Sequence, residues 1–142
     1  GRGIGIYGNI RGPRTCYAEA RMKDHGWWRS LLAAVDGKDV PGFLGFLTDD
    51  CEFRFGNGPA VAGHEAVGAL VAGFLGAIGG TRHLLERTWD GPGTAVAEGV
   101  VTYTRLDGST LTLPFVNVFE LRDGKVSRYR IYIDNRELFA TA

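Results

Sequence analysis

Between Thr94 and Leu138 large apolar side chains alternate with smaller or polar ones in three runs, TAVAEGVVTYTR, STLTLPFVNVFEL and KVSRYRIYID, parted by LDG and RDG. Asp107-Gly108 and Asp123-Gly124 offer residues that tolerate positive φ, so the pattern predicts an antiparallel meander of three strands joined by tight hairpins. Apolar residues fall on both parities. Ala97, Val101, Tyr103, Leu113, Phe115, Phe119, Tyr129 and Ile131 share one face. Val96, Val100, Leu111, Val116, Val118, Val126 and Tyr132 lie on or near the other. A sheet apolar on both sides is either sandwiched or used for self-association.

Upstream, the spacing changes from two to that of helices. His25 to Val35 (HGWWRSLLAAV) predicts a first helix with Asp24 as N-cap and Asp36-Gly37 as the stop. By that spacing Trp28 falls with Leu31, Leu32 and Val35. Val40 to Leu47 predicts a short second helix, with Pro41 suited to its first turn. Gly63 to Ile78 predicts a third, whose buried stripe is Val67, Leu70, Val71, Phe74, Leu75 and Ile78. Between them Thr48-Asp49-Asp50 turns the chain into a short strand, Cys51 to Phe55, followed by an Asn57-Gly58-Pro59 loop. Arg82 to Asp90 reads as a strand leading into the meander. The order helix, helix, strand, helix, four strands predicts an α+β domain, its helices packed on one face of a curved, mainly antiparallel sheet.

Residues 1–24 are different in kind, rich in Gly and Arg, and read as an extension before a single domain over 25–142. Gly3-Ile4-Gly5-Ile6-Tyr7-Gly8 spells a dinucleotide fingerprint, but that motif needs a strand before it and a helix after it, and Pro13 follows. Charge removes other classes of partner. Sixteen basic residues balance sixteen acidic ones, so neither nucleic acid nor an anionic membrane is an expected partner. No apolar run is long enough to span a bilayer, and the expected location is cytoplasmic. The two cysteines, Cys16 and Cys51, and the three histidines have no metal-ligand spacing, so free thiols and no metal or organic cofactor are expected.

Three further signals occur in order: Leu47-Thr48-Asp49-Asp50 before the first strand, Gly63-His64-Glu65-Ala66-Val67 opening the third helix, and Asp123-Gly124-Lys125-Val126 leading to Tyr132-Ile133-Asp134. From His25 onward the chain resembles the SnoaL-like branch of the nuclear-transport-factor-two-like superfamily. That group includes ketosteroid isomerases, limonene epoxide hydrolases and aromatic polyketide cyclases. The resemblance implies a cone-shaped α+β fold with about three N-terminal helices on the concave sheet face and a deep pocket between them. It also implies a homodimer through the convex face, here carrying Val100, Thr102, Val116, Val118 and Tyr132. The triad of the epoxide hydrolases would fall on Gly99, Val101 and Ile131 and is absent. The isomerase base, Tyr and protonated Asp would fall on Phe55, Leu31 and Asn117, of which only Asn117 keeps a hydrogen-bonding group.

Two side chains could then carry chemistry. Asn117 lies in an apolar strand on the pocket parity, where a buried amide without partners costs about 1–3 kcal/mol and must be satisfied by backbone, water or a ligand. His83 aligns with a pocket-lining position of the epoxide hydrolases, and imidazole suits proton transfer at neutral pH. With no carboxylate expected in the same space, it should be neutral and available as a base; the alternative is a satisfied structural histidine. Trp28, Leu31, Phe55, Val101, Phe115, Tyr129 and Ile131 are the expected ligand-binding wall. Three functions follow: proton transfer on a hydrophobic carbonyl compound, non-catalytic binding of a hydrophobic small molecule, or a purely structural dimer.

Overall fold

A computed structural model of the chain describes residues 26–140. The extension over 1–24, its glycine motif, Cys16, the Asp24 cap and His25 lie outside the described residues. Helix α1 (Gly26–Asp36) buries Trp28, Leu31 and Leu32. Asp39 caps α2 (Val40–Leu44) by accepting a hydrogen bond from the Gly42 amide at 3.0 Å, and Phe43 is its buried residue. Helix α3 (His64–Gly76) buries Val67, Val71 and Leu75. These apolar stripes need a partner, and the concave side of one six-stranded sheet supplies it.

The strands are β1 (Leu47–Phe55), β2 (Val61–Ala62), β3 (Gly80–Gly91), β4 (Thr94–Thr104), β5 (Thr110–Arg122) and β6 (Lys125–Tyr132), in the spatial order β2-β1-β6-β5-β4-β3. Every neighbouring pair is antiparallel except β1 with β6. The predicted meander is β4-β5-β6. Asp123 (φ 54°) and Gly124 (φ 78°) both take positive φ in the two-residue hairpin that joins β5 to β6. The β4–β5 connection is longer: Thr104 pairs with Thr110, only Gly108 among the residues between them has positive φ, and the Asp107 carboxylate accepts from the Ser109 amide.

Several expected boundaries move. The second helix stops at Leu44 because the chain joins the sheet at Leu47, where β1 pairs in parallel with Val126. Thr48-Asp49-Asp50 is therefore strand and not turn, and two-residue β2 was not expected at all. Leu111 and Val126 belong to the concave side. Leu111 pairs with Tyr103 and keeps the parity of Leu113. Val126 is fully buried because the register between β5 and β6 skips Ser127, so the alternation counted back from Tyr129 is broken by a bulge.

Candidate functional site

Helices and concave sheet do not close completely. Between them lies a cavity that opens to solvent at its mouth. Phe55 from β1, Val101 from β4, Phe115 from β5 and Tyr129 and Ile131 from β6 line it, as the sequence predicts. Trp28 and Leu31 do not. Both are fully buried in the core, where the Trp28 ring stacks on Phe119 at 4.3 Å. One turn further along α1, Val35 reaches the cavity in their place. Phe43, Phe53, Phe74 and Tyr103 also line it, so the wall is more aromatic than sequence parity suggests.

The two polar candidates, His83 and Asn117, both reach this wall. A bulge in β3 between Leu85 and Arg87 sets the local geometry beside His83. It draws the β3 backbone against β4 so closely that a Cβ at residue 99 would lie 2.1 Å from the Leu84 carbonyl oxygen, which leaves only glycine at Gly99. The Phe115 ring meets the His83 ring edge-on at 5.3 Å and restricts its plane.

The expectation that no carboxylate shares the space of His83 is wrong. His83 Nδ1 lies 2.6 Å from Asp36 Oδ1. Asp36 also accepts from the Thr81 hydroxyl at 2.7 Å and from the His83 amide at 3.0 Å. Burial pushes the Asp36 carboxyl up, but the hydrogen bonds from the His83 ring, Thr81 and the His83 amide outweigh it and hold the group below its ordinary value. An ionised carboxylate only accepts, so Nδ1 carries the ring proton and, in the neutral ring, Nε2 carries the lone pair. Sequence reasoning took Asp36 as a helix stop. A signal was available: Asp36 is the last residue of α1, where the helix dipole disfavours a negative charge and basic residues are the rule. A carboxylate placed there needs a compensating partner, and His83 is that partner.

Asn117 pairs with Ala97 on one side and Ile131 on the other. It is 2% exposed, and its Oδ1 has no hydrogen-bond partner among the described residues. Such an atom is costly unless something in the cavity satisfies it. Burial raises the hydroxyls of Tyr103 and Tyr129 above the ordinary phenol value, so both stay neutral. Cys51 is no nucleophile: burial, helped by Asp50 and Glu52, pushes its thiol up to about 12. Among the described residues no cluster of His, Cys, Asp and Glu could hold a metal ion. No described helix is long and apolar enough to cross a membrane.

The architecture is widely shared. A protein of unknown function from Burkholderia pseudomallei is 23% identical with a TM-score of 0.72, covering 78% of this chain and 90% of its own. TerC, crystallised with polyporic acid, is 25% identical with a TM-score of 0.70 over 78% of this chain and 91% of its own. A candidate polyketide cyclase from Xanthomonas campestris is 22% identical with a TM-score of 0.69 over 83% of this chain and 95% of its own. A search of curated protein sequences found no match. Residues 28–129, which hold α1 from Trp28 on, the whole of the aromatic wall up to Tyr129 and both polar candidates, match the SnoaL-like domain, and the chain therefore belongs to the SnoaL-like family.

Proposed function

We propose that this protein transfers a proton on an uncharged, hydrophobic carbonyl compound, in the manner of an isomerase or cyclase. One observation carries the reading: an imidazole whose Nδ1 is held at 2.6 Å by a carboxylate stands, with Asn117, in the wall of an otherwise aromatic and aliphatic cavity. His83 Nε2 removes a proton from carbon activated by the carbonyl, and the C–H electron pair becomes an enolate. Asp36 stabilises the imidazolium that results, through Nδ1–H. Asn117, with its amide turned so that the NH2 group faces the cavity, donates to the enolate oxygen; one such donor in a dry site contributes about 3 kcal/mol. His83 then returns the proton to the same carbon or to a conjugated one. Apart from the two tyrosines, kept neutral by burial, and the His83 ring, the wall is free of ionisable side chains, which suits a neutral substrate.

The comparisons support small-molecule chemistry of this kind, since a candidate polyketide cyclase shares the fold. Epoxide hydrolysis fits less well, because the positions that its triad would occupy hold Gly99, Val101 and Ile131. A second reading rests on the orientation of Asn117. With Oδ1 turned inward and unpaired, it is an acceptor, suited to hold a ligand hydroxyl without reaction. Solvent-deuterium incorporation separates the two. Cyclic ketones and enones incubated with the protein in D2O should exchange carbon-bound hydrogen faster than in buffer, and His83→Ala should lose that excess. Exchange no faster than buffer for ketones that demonstrably bind would leave only the binding reading.

A further inference from the structure

The last described residues form a separate piece of the cavity's surroundings. After β6 ends at Tyr132 the chain makes one turn, in which the Leu138 amide donates to the Asn135 carbonyl at 3.0 Å. Besides the buried Leu138, one polar side chain ties the backbone of the turn to the sheet. Arg105, at the end of β4, donates from Nε to the Leu138 carbonyl at 2.8 Å and from Nη2 to the Glu137 carbonyl at 3.1 Å. Its remaining Nη1 donates to Ser109 Oγ at 3.1 Å, and Ser109 in turn donates to Asp107 Oδ1 at 2.6 Å. The β4–β5 connection thus aims the guanidinium at backbone carbonyls of the turn. Because those acceptors are main-chain, the grip does not depend on which side chains the turn carries.

The turn lies beside residues that line the cavity. Leu138 is buried at 1% exposure, while Phe139 is 57% exposed and rests its ring against Phe74 at 6.2 Å and 82°. Phe74 lines the cavity and meets two further lining residues edge-on, Phe55 at 4.8 Å and Tyr103 at 5.8 Å. Leu70, one helical turn before Phe74, is the most exposed of the lining residues. Ile133, at the root of the turn, lines the cavity too.

We infer that the turn over 135–139 is a latch at the cavity mouth, and that Arg105 is the residue that keeps it shut. With the latch docked, Phe139 backs Phe74, Phe74 stays against Phe55 and Tyr103, and the mouth admits only ligands that fit past this fixed ring. With the latch free, Phe74 loses its outer support and the mouth widens. Arg105 then sets the rate of entry and exit and the longest ligand admitted, while contributing nothing to the polar pair deeper inside. The inference rests on the cavity being the ligand site and is independent of whether that site transfers protons.

Hydrogen exchange and the binding kinetics of 2-naphthol, a neutral aromatic probe, test it together. Arg105→Ala should speed exchange of the Leu138 amide and raise both association and dissociation rates of the probe by about 10-fold, with its Kd little changed. Arg105→Lys, which keeps the charge but loses the two-carbonyl grip, should resemble Arg105→Ala. Should Arg105→Ala fail to fold, Phe139→Ala, at a mostly exposed ring, gives the second measure and should speed probe exchange several-fold. Unchanged rates in folded Arg105→Ala and Phe139→Ala proteins would overturn the latch, as would a Leu138 amide that exchanges no faster, or wild type that leaves the probe unbound. His83→Ala should leave the dependence on Arg105 intact, so failure of the proton-transfer reading and failure of the latch are distinguishable.

Discussion

At the residue scale, the candidate site consists of two polar side chains with opposite standing. His83 is fully engaged on one nitrogen, whereas Asn117 is buried with its oxygen unpaired. A buried unpaired amide oxygen is a stability defect, which leads to a prediction. Asn117→Leu, which keeps the branching of the side chain, should raise the free energy of unfolding measured in urea by about 1–2 kcal/mol, and with it the midpoint, while abolishing deuterium exchange into bound ketone. An unfolding midpoint that falls would mean that water or backbone already satisfies the amide. The Asp36 carboxyl gives a pH prediction of definite sign. Its native value lies below the ordinary 3.8, so its stabilising contribution is complete above about pH 4 and fades as pH falls through the lowered value. Urea titrations should find wild type more stable than Asp36→Asn at pH 6, with the gap narrowing below pH 4. Asn117 was legible in the sequence because it is a polar residue inside an apolar run, and His83 because it is a histidine in a predicted strand, at a position that the family resemblance assigns to the pocket wall. Asp36 was not, because 47 positions separate it from His83 and only the tertiary contact joins them.

At the element scale, strand parity located the wall and failed wherever a bulge intervened. Alternation is unbroken along β4, so Val101 and Tyr103 were assigned without error. Val126 was assigned to the wrong face because the skipped Ser127 is invisible to a period of two. The first helix shows a different limit. Helical spacing correctly gathers Trp28, Leu31 and Val35 on the buried side of α1, but it cannot say that the first two meet other core residues and only Val35 meets the cavity. The β3 bulge yields a test of its own. Gly99→Ala would press a methyl group onto the Leu84 backbone and should cost about 2–3 kcal/mol in chemical denaturation, whereas Gly73→Ala, with open space around it, should stabilise α3 by up to about 1 kcal/mol. A Gly99→Ala protein as stable as wild type would mean that β3 and β4 do not approach as described.

At the scale of the whole molecule, the three described helices pack on the concave side of the sheet. On the convex side Leu84, Trp89 and Tyr132 are 61%, 45% and 56% exposed, with Val100, Val116 and Val118 partly exposed between them. Toward β1, Glu52 is shared by Arg128 and Arg130, and Arg128 also reaches Glu120, so a charged border flanks the apolar strip. An apolar strip with such a border is the profile of an interface. We expect a homodimer through this face: light scattering at micromolar concentration should return twice 15.4 kDa, and a mass of 15.4 kDa would refute it. The same topology brings the end of α1 to β3, so that an aspartate disfavoured by its own helix orients a histidine at the cavity wall. That pairing is the centre of the functional account, and the protonation of the His83 ring measures it without any substrate. In 15N-correlated nuclear magnetic resonance spectra at neutral pH, the neutral His83 ring should be protonated on Nδ1 and bare on Nε2, and Asp36→Asn should disturb this preference. A ring protonated on Nε2 would leave its lone pair directed at Asp36 and no base facing the cavity, which would contradict the account.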